Sequence, residues 1–205
     1  MKCYSLRRRM NSTYKYYEKH WQEYCQSTVD KAPTSEIDTF LSHIENPKEL
    51  ILELGSGSGN SLKYIHDKGF NVSGSDYIID IVLSLKQRFK CCSYVIDITD
   101  VEFLNSFMTS TTVKHLFISA VLQHLSSSEL IDFFKKIEVK GLLFLSLKEG
   151  VGEKTLEDGR YETYYTQRQI ERLVSKRFEI LSFNRSEDML GRSFNWLSWT
   201  LKLKS

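Results

Sequence analysis

Ile51-Leu52-Glu53-Leu54-Gly55-Ser56-Gly57-Ser58-Gly59-Asn60 is the stretch from which the fold is read. A short apolar run meets three glycines at alternate positions, and a helical pattern opens behind them at Leu62 and Ile65. Glycine tolerates positive φ and lets a backbone come close to a ligand, while the helix N-terminus behind it offers unpaired N–H groups. Seventeen residues after Gly59 a second β-rich run, Val72-Ser73-Gly74-Ser75, ends at Asp76. A carboxylate there is placed to accept hydrogen bonds from the two hydroxyls of a ribose. Glycine turn and acid, inside one strand–helix–strand unit, point to a nucleotide-like ligand.

The pattern continues outward on both sides. Short β-rich runs at 49–54, 71–75, 93–96, 114–119 and 140–147 alternate with residues at helical spacing. The helical sets are Leu62 and Ile65; Ile79, Val82, Leu83 and Leu85; and Leu130, Phe133, Phe134 and Ile137. Ser126 with Glu129, and Thr166 with Gln169, read as capping boxes that start two helices. Such alternation predicts an α/β, doubly wound sheet, mostly parallel and covered on both faces. After a helix at 167–175, two runs at 178–183 and 195–203 flank a polar stretch holding Gly191, which predicts a closing antiparallel pair. Ahead of the sheet lie helical segments at 14–25 and 35–44, the first crowded with Tyr14, Tyr16, Tyr17, Trp21 and Tyr24. So many rings exceed one narrow stripe. They read either as facing a ligand or as ordinary packing onto the domain.

The chain has 205 residues with 28 Lys+Arg against 26 Asp+Glu, and only two prolines. That size suits a single domain, divided here into a helical segment at 1–45 and a core at 46–205. A net charge of +2 gives no reason to expect nucleic acid or an anionic membrane as partner. The cluster Arg7, Arg8 and Arg9 reads as a solvated tail, with no apolar segment behind it to make a secretory signal. No apolar run approaches the ~20 residues that a bilayer requires. Cys3, Cys25, Cys91 and Cys92 form no C-x-x-C pair and have no histidine spacing suggestive of metal, so reduced thiols and a cytoplasmic location are expected.

The glycine spacing excludes two classes of ligand site. A dinucleotide fingerprint would need glycine where Asn60 stands, and no G-K-[ST] is present for a phosphate loop. Glu53 followed by Gly55, Gly57 and Gly59 resembles instead the first motif of class I S-adenosylmethionine-dependent methyltransferases, of the small-molecule type. Asp76 matches that family's ribose acid, and Asp97 its acid at the end of the third strand, beside the adenine, with Ile98 against the base. The resemblance implies a Rossmann-like methyltransferase fold of seven strands with an antiparallel C-terminal strand, and S-adenosyl-L-methionine as cofactor. It further implies cofactor contacts from Ser56, Tyr77, Ala120 and Tyr24, and an N-terminal segment, with Tyr17 and Trp21, that folds over the cofactor and meets the acceptor. The acceptor so implied is a small molecule. The alternatives are an RNA or protein methyltransferase, or a partner subunit that keeps the fold without catalysis.

His124 ends the sequence Ile118-Ser119-Ala120-Val121-Leu122-Gln123-His124, just past the carboxyl end of the fourth strand, where open α/β sheets place reactive groups. It reads as a general base or as a histidine that hydrogen-bonds the next helix. The segment after the fifth strand resembles the acceptor loop of these enzymes. There Arg160 is a candidate clamp for an anionic acceptor and Tyr161 and Tyr164 candidate walls; a solvated surface loop is the other reading.

Overall fold

The five β-rich runs form parallel strands: β1 (Leu50–Leu54), β2 (Val72–Asp76), β3 (Ser93–Val95), β4 (Val113–Ser119) and β5 (Leu142–Lys148). The structure, a computed structural model, describes residues 12–28 and 30–204, so Cys3 and the Arg7, Arg8 and Arg9 cluster lie outside the described residues. Two further strands, β8 (Phe178–Glu187) and β9 (Asn195–Leu203), complete a seven-stranded sheet in the order β3-β2-β1-β4-β5-β9-β8. The C-terminal strand β9 runs antiparallel to both neighbours, β5 and β8. The order reverses between β1 and β4, so a crevice opens there at the carboxyl ends of the strands.

Alternation along each strand sends side chains to two cores. Leu52, Leu54, Leu116, Ile118, Leu143 and Leu145 meet one set of helices: α5 (Val101–Ser110), α6 (Ser127–Lys136) and α7 (Gln167–Val174). Ile51, Phe117, Leu142 and Phe144 face the other way, onto α2 (Thr34–Ser42) and α3 (Asn60–Asp67). Phe117 and Phe144 stack there nearly parallel at 4.4 Å. Both capping boxes form, Ser126 with Glu129 and Thr166 with Gln169, which satisfies the first N–H groups of α6 and α7.

Two elements differ from the sequence expectation. The edge strand β8 runs on to Glu187, through residues read as a polar connection. An edge strand has water on one side and accepts polar residues that a central strand would not. The segment read as a loop after β5 folds into a hairpin, β6 (Gly152–Thr155) and β7 (Tyr161–Tyr164). β6 carries no apolar residue facing a core and all four of its residues are exposed, so nothing in its sequence announces a strand.

Candidate active site

The glycine turn is built by conformation and by crowding. Gly55, Gly57 and Gly59 all have positive φ, at 71°, 50° and 76°. A Cβ on Gly55 would overlap Val121, and one on Gly59 would lie 2.5 Å from the Phe89 ring and 2.7 Å from Leu85. Gly59 therefore serves as the left-handed N-cap of α3, packed beneath α4 (Ile79–Phe89), rather than lining a cavity. Ser56 Oγ accepts the Ser75 N–H at 3.1 Å, and the Ser75 hydroxyl donates to the Glu53 carbonyl at 2.8 Å. These bonds lock the turn to the end of β2.

That lock fixes Asp76. Its Oδ2 accepts the Gly57 N–H at 3.1 Å and its Oδ1 accepts the Ile78 N–H at 2.9 Å. Burial still pushes this carboxyl above its ordinary range. The Tyr77 backbone also bonds it, and a carboxylate with about four acceptor positions still has room for a further donor. Asp97 turns its Oδ1 onto the N–H and hydroxyl of Thr99.

A cavity of about 190 Å3 joins these groups. Gly55, Gly57, Asp76, Tyr77, Asp97, Ile98 and Ala120 line it from the sheet side, and Tyr14, Tyr17 and Tyr24 from the N-terminal helix α1 (Ser12–Ser27). Tyr14 and Tyr17 are three residues apart on one helical face, and Trp21 and Tyr24, also three apart, follow a kink at His20 (φ −117°, ψ 15°). Tyr14 meets Tyr77 edge-on at 4.8 Å, and Tyr17 meets Tyr24 at 5.1 Å. Trp21 instead packs with Ile78, Ile81 and Leu85, outside either cavity.

A second, larger cavity of about 610 Å3 adjoins the first, with Tyr17, Tyr24, Gly55, Gly57, Ala120 and His124 common to both walls. Glu53 and Ser56 face this second space. Glu53 is buried, its Oε2 finds no hydrogen-bond partner, and burial pushes its carboxyl up to about 8. A buried, unpartnered acceptor is costly and marks a place for a donor.

His124 sits where the two cavities meet, after a turn held by Ser146. The Ser146 hydroxyl accepts the Ala120 N–H at 3.0 Å, while Ala120 itself adopts φ 59°. His124 Nδ1 lies 2.8 Å from the Tyr161 carbonyl, and Nε2 lies 3.3 Å from the Tyr17 hydroxyl. A carbonyl only accepts, so Nδ1 carries the proton and Nε2 the lone pair. Burial lowers the imidazole's affinity for a second proton, outweighing the Tyr161 carbonyl and the Glu162 carboxylate.

The β6–β7 hairpin closes this side of the site. Thr163 donates to the carbonyls of Gln123 and Leu125, and the Tyr161 N–H donates to Thr13 Oγ1 at 2.8 Å. Tyr161 and Tyr164 line neither cavity: their hydroxyls donate to Glu153 and Glu162. Arg160 does line the second cavity, but its Nε and Nη2 both donate to Asp158 Oδ2, at 2.9 and 2.7 Å. Its two-pronged face is thus already occupied, and Nη1 points to the Tyr17 hydroxyl at 3.5 Å.

The sequence reading missed several residues here. Lys148 and Glu162 form a buried pair at 2.6 Å, with Phe194 4.7 Å from the ammonium. Asp188 collects Arg192, the Trp196 indole N–H and the Leu190 N–H on the far wall. Thr13 ties the hairpin to α1. The one visible signal is Lys148 itself, a charge at the end of a strand that is otherwise apolar but for Ser146.

No family model matches the chain, and no curated protein matches it in sequence. Solved structures do match. The 1,6-didemethyltoxoflavin-N1-methyltransferase of Burkholderia thailandensis, solved with 1,6-didemethyltoxoflavin and S-adenosylhomocysteine, is 13% identical, with a TM-score of 0.77 over 100% of this chain and 93% of that one. A S-adenosylmethionine-dependent methyltransferase from Anabaena variabilis is 14% identical, with a TM-score of 0.72 over 93% and 94%. The glycopeptide N-methyltransferase MtfA, complexed with S-adenosylmethionine, is 13% identical, with a TM-score of 0.62 over 83% and 94%. The chain has the Rossmann-like fold of class I S-adenosylmethionine-dependent methyltransferases.

Proposed function

We propose that the chain is a methyltransferase that binds S-adenosylmethionine in the smaller cavity, its amino-acid end reaching the Glu53 side of the larger one, and methylates a small molecule held in the rest of that larger cavity. One observation carries this reading: Asp76, Asp97, the Gly55–Gly57 backbone and the unpartnered Glu53 Oε2 converge on one continuous pair of cavities. The residues present fit the cofactor. Asp76 has acceptor capacity left for a ribose hydroxyl, Asp97 and Ile98 stand where an adenine would lie, and Glu53 offers its carboxylate to an amino-acid ammonium. That ammonium would bring the raised Glu53 carboxyl back to its ionised form.

S-adenosylmethionine supplies an electrophilic methyl group on a positively charged sulfur. The chain then has to align the acceptor, exclude water and receive a proton where the acceptor carries one. Tyr17 and Tyr24 offer ring faces to a cation and cover the cavities from above. His124, neutral and with its lone pair on Nε2, is the base. The larger cavity has the volume of a small-molecule site, within the usual range of about 300–1,000 Å3. Two of the similar structures, by their names, are N-methyltransferases, one of 1,6-didemethyltoxoflavin and one of a glycopeptide. No helix of the described residues is long and apolar enough to cross a membrane.

Calorimetry tests the cofactor: S-adenosylhomocysteine binds and NAD does not, and tighter binding of NAD would overturn the reading. In the same titration Asp76→Ala weakens S-adenosylhomocysteine by about 1–3 kcal/mol, since charge-assisted bonds to the ribose are lost. Unchanged affinity would remove Asp76 from the ribose site. Incubation with methyl-labelled S-adenosylmethionine and a metabolite extract identifies the acceptor. Label recovered only in RNA or protein would replace the small-molecule assignment, and binding without any transfer would point to a non-catalytic subunit.

A further inference from the structure

We propose that Tyr17, rather than His124 alone, meets the acceptor's proton: it takes that proton while passing its own to His124, so the acceptor is an N–H or O–H compound that must be deprotonated to react. This rests on the methyltransferase reading above. The lone pair of His124 Nε2 is already engaged, because the Tyr17 hydroxyl lies 3.3 Å away. A phenol facing a lone pair is the donor. The same phenol oxygen accepts from Arg160 Nη1 at 3.5 Å, and Tyr17 lines both cavities. A proton leaving an acceptor in the larger cavity therefore reaches the imidazole through the Tyr17 oxygen.

The step balances. The acceptor's X–H bond breaks and its proton goes to the Tyr17 oxygen, whose own proton goes to His124 Nε2. The electron pair left on X forms the bond to the methyl carbon, and the carbon–sulfur pair returns to sulfur. One positive charge leaves the sulfur and one appears on the imidazole, so nothing is oxidised or reduced. The groups around the relay suit both ends of it. The Tyr161 carbonyl and the Glu162 carboxylate face the imidazolium as it forms, opposed by the Lys148 and Arg160 cations. Arg160, with its guanidinium 4.7 Å from the Tyr16 ring and held by Asp158, favours negative charge on the Tyr17 oxygen, against burial, which raises the phenol's pKa overall. An acceptor with a free lone pair, such as a neutral amine, needs no proton removed before it reacts and loses one only afterwards.

The relay also makes the N-terminal helix part of the base. Tyr17 reaches His124 only while α1 is docked, and the Tyr161 N–H bond to Thr13 ties that helix to the hairpin that orients the imidazole. Covering the site and completing the proton path are one event.

The test uses the full chain with ¹⁵N-labelled histidine, loaded with S-adenosylhomocysteine. At neutral pH the His124 ring shows its proton on Nδ1, and Tyr17→Phe moves the Nε2 resonance to the position of a nitrogen without a hydrogen bond. Tyr17→Phe keeps the ring that lines the cavity, so the variant stays folded and still binds S-adenosylhomocysteine. With the metabolite extract as acceptor source, its rate of S-adenosylhomocysteine release falls about 10- to 100-fold. Adding His124→Gln to Tyr17→Phe lowers the rate no further than His124→Gln alone. A proton found on Nε2, an Nε2 resonance indifferent to Tyr17→Phe, or a wild-type rate in that variant would overturn the relay. Failure of the wild-type chain to bind S-adenosylhomocysteine would strike the methyltransferase reading instead.

Discussion

His124→Gln is expected to lower kcat by about 10²–10⁴-fold while leaving S-adenosylhomocysteine affinity intact, the range that a positioned general base contributes. Glutamine is the informative substitute. Its amide can donate to the Tyr161 carbonyl and accept from the Tyr17 hydroxyl, as the imidazole does at 2.8 and 3.3 Å, but it takes up no proton. Geometry is kept and basicity removed. The wild-type rate falls as pH drops, because the imidazole must be neutral to accept a proton. Burial holds its pKa below the usual histidine value of about 6.5, so that acid limb lies below neutrality and the rate is level above it. His124→Gln loses the limb. Initial rates of S-adenosylhomocysteine formation across pH decide the matter, and a variant with wild-type kcat would assign His124 a structural role only.

Lys148→Met is expected to cost about 3–5 kcal/mol of folding stability, the cost of stranding one member of a buried ion pair. Both side chains are buried, at 8% exposure for Lys148 and 2% for Glu162, at the wall of the larger cavity. Burial alone would raise the Glu162 carboxyl, but Lys148 and the Tyr164 hydroxyl outweigh it and hold the pKa below the ordinary carboxylate range. The sign for stability follows. The Glu162 charge contributes in full above the unfolded pKa of about 4.3, and that contribution is lost as pH falls through the lower folded value. Replacing both partners, Lys148→Met with Glu162→Leu, restores most of the loss because no charge is left unpaired. Chemical denaturation of the two variants separates these outcomes. A single variant as stable as the wild type would show that water reaches Glu162.

The pair is also the clearest case of a feature the sequence does not disclose. Lys148 and Glu162 stand fourteen residues apart, joined only by the hairpin Gly152–Thr155 and Tyr161–Tyr164. β6 is exposed along its length and has no alternation of apolar and polar residues. Periodicity reports burial, so a strand that buries nothing is silent. The same reason hid the outer half of β8, which lies at the sheet edge.

The sequence by itself determined the parallel core, the antiparallel C-terminal strand, both capping boxes and the glycine turn facing Asp76. These rest on local chemistry: alternation and helical spacing record which face is buried, and a glycine at positive φ records a backbone that no other residue adopts easily. Only the tertiary structure decided how the side chains are spent. Arg160 stood free for an anion in the sequence, yet Asp158 occupies its two-pronged face. Tyr161 and Tyr164 were candidate walls, yet they line neither cavity, and it is the backbone carbonyl of Tyr161 that faces the site, fixing the proton on His124 Nδ1. Tyr17 and His124 are 107 residues apart and meet at 3.3 Å because α1 lies across the carboxyl ends of the strands. Hydrogen bonds and ion pairs act over a few ångströms of space, whatever the distance along the chain, so which donor meets which acceptor is settled only once the elements have packed.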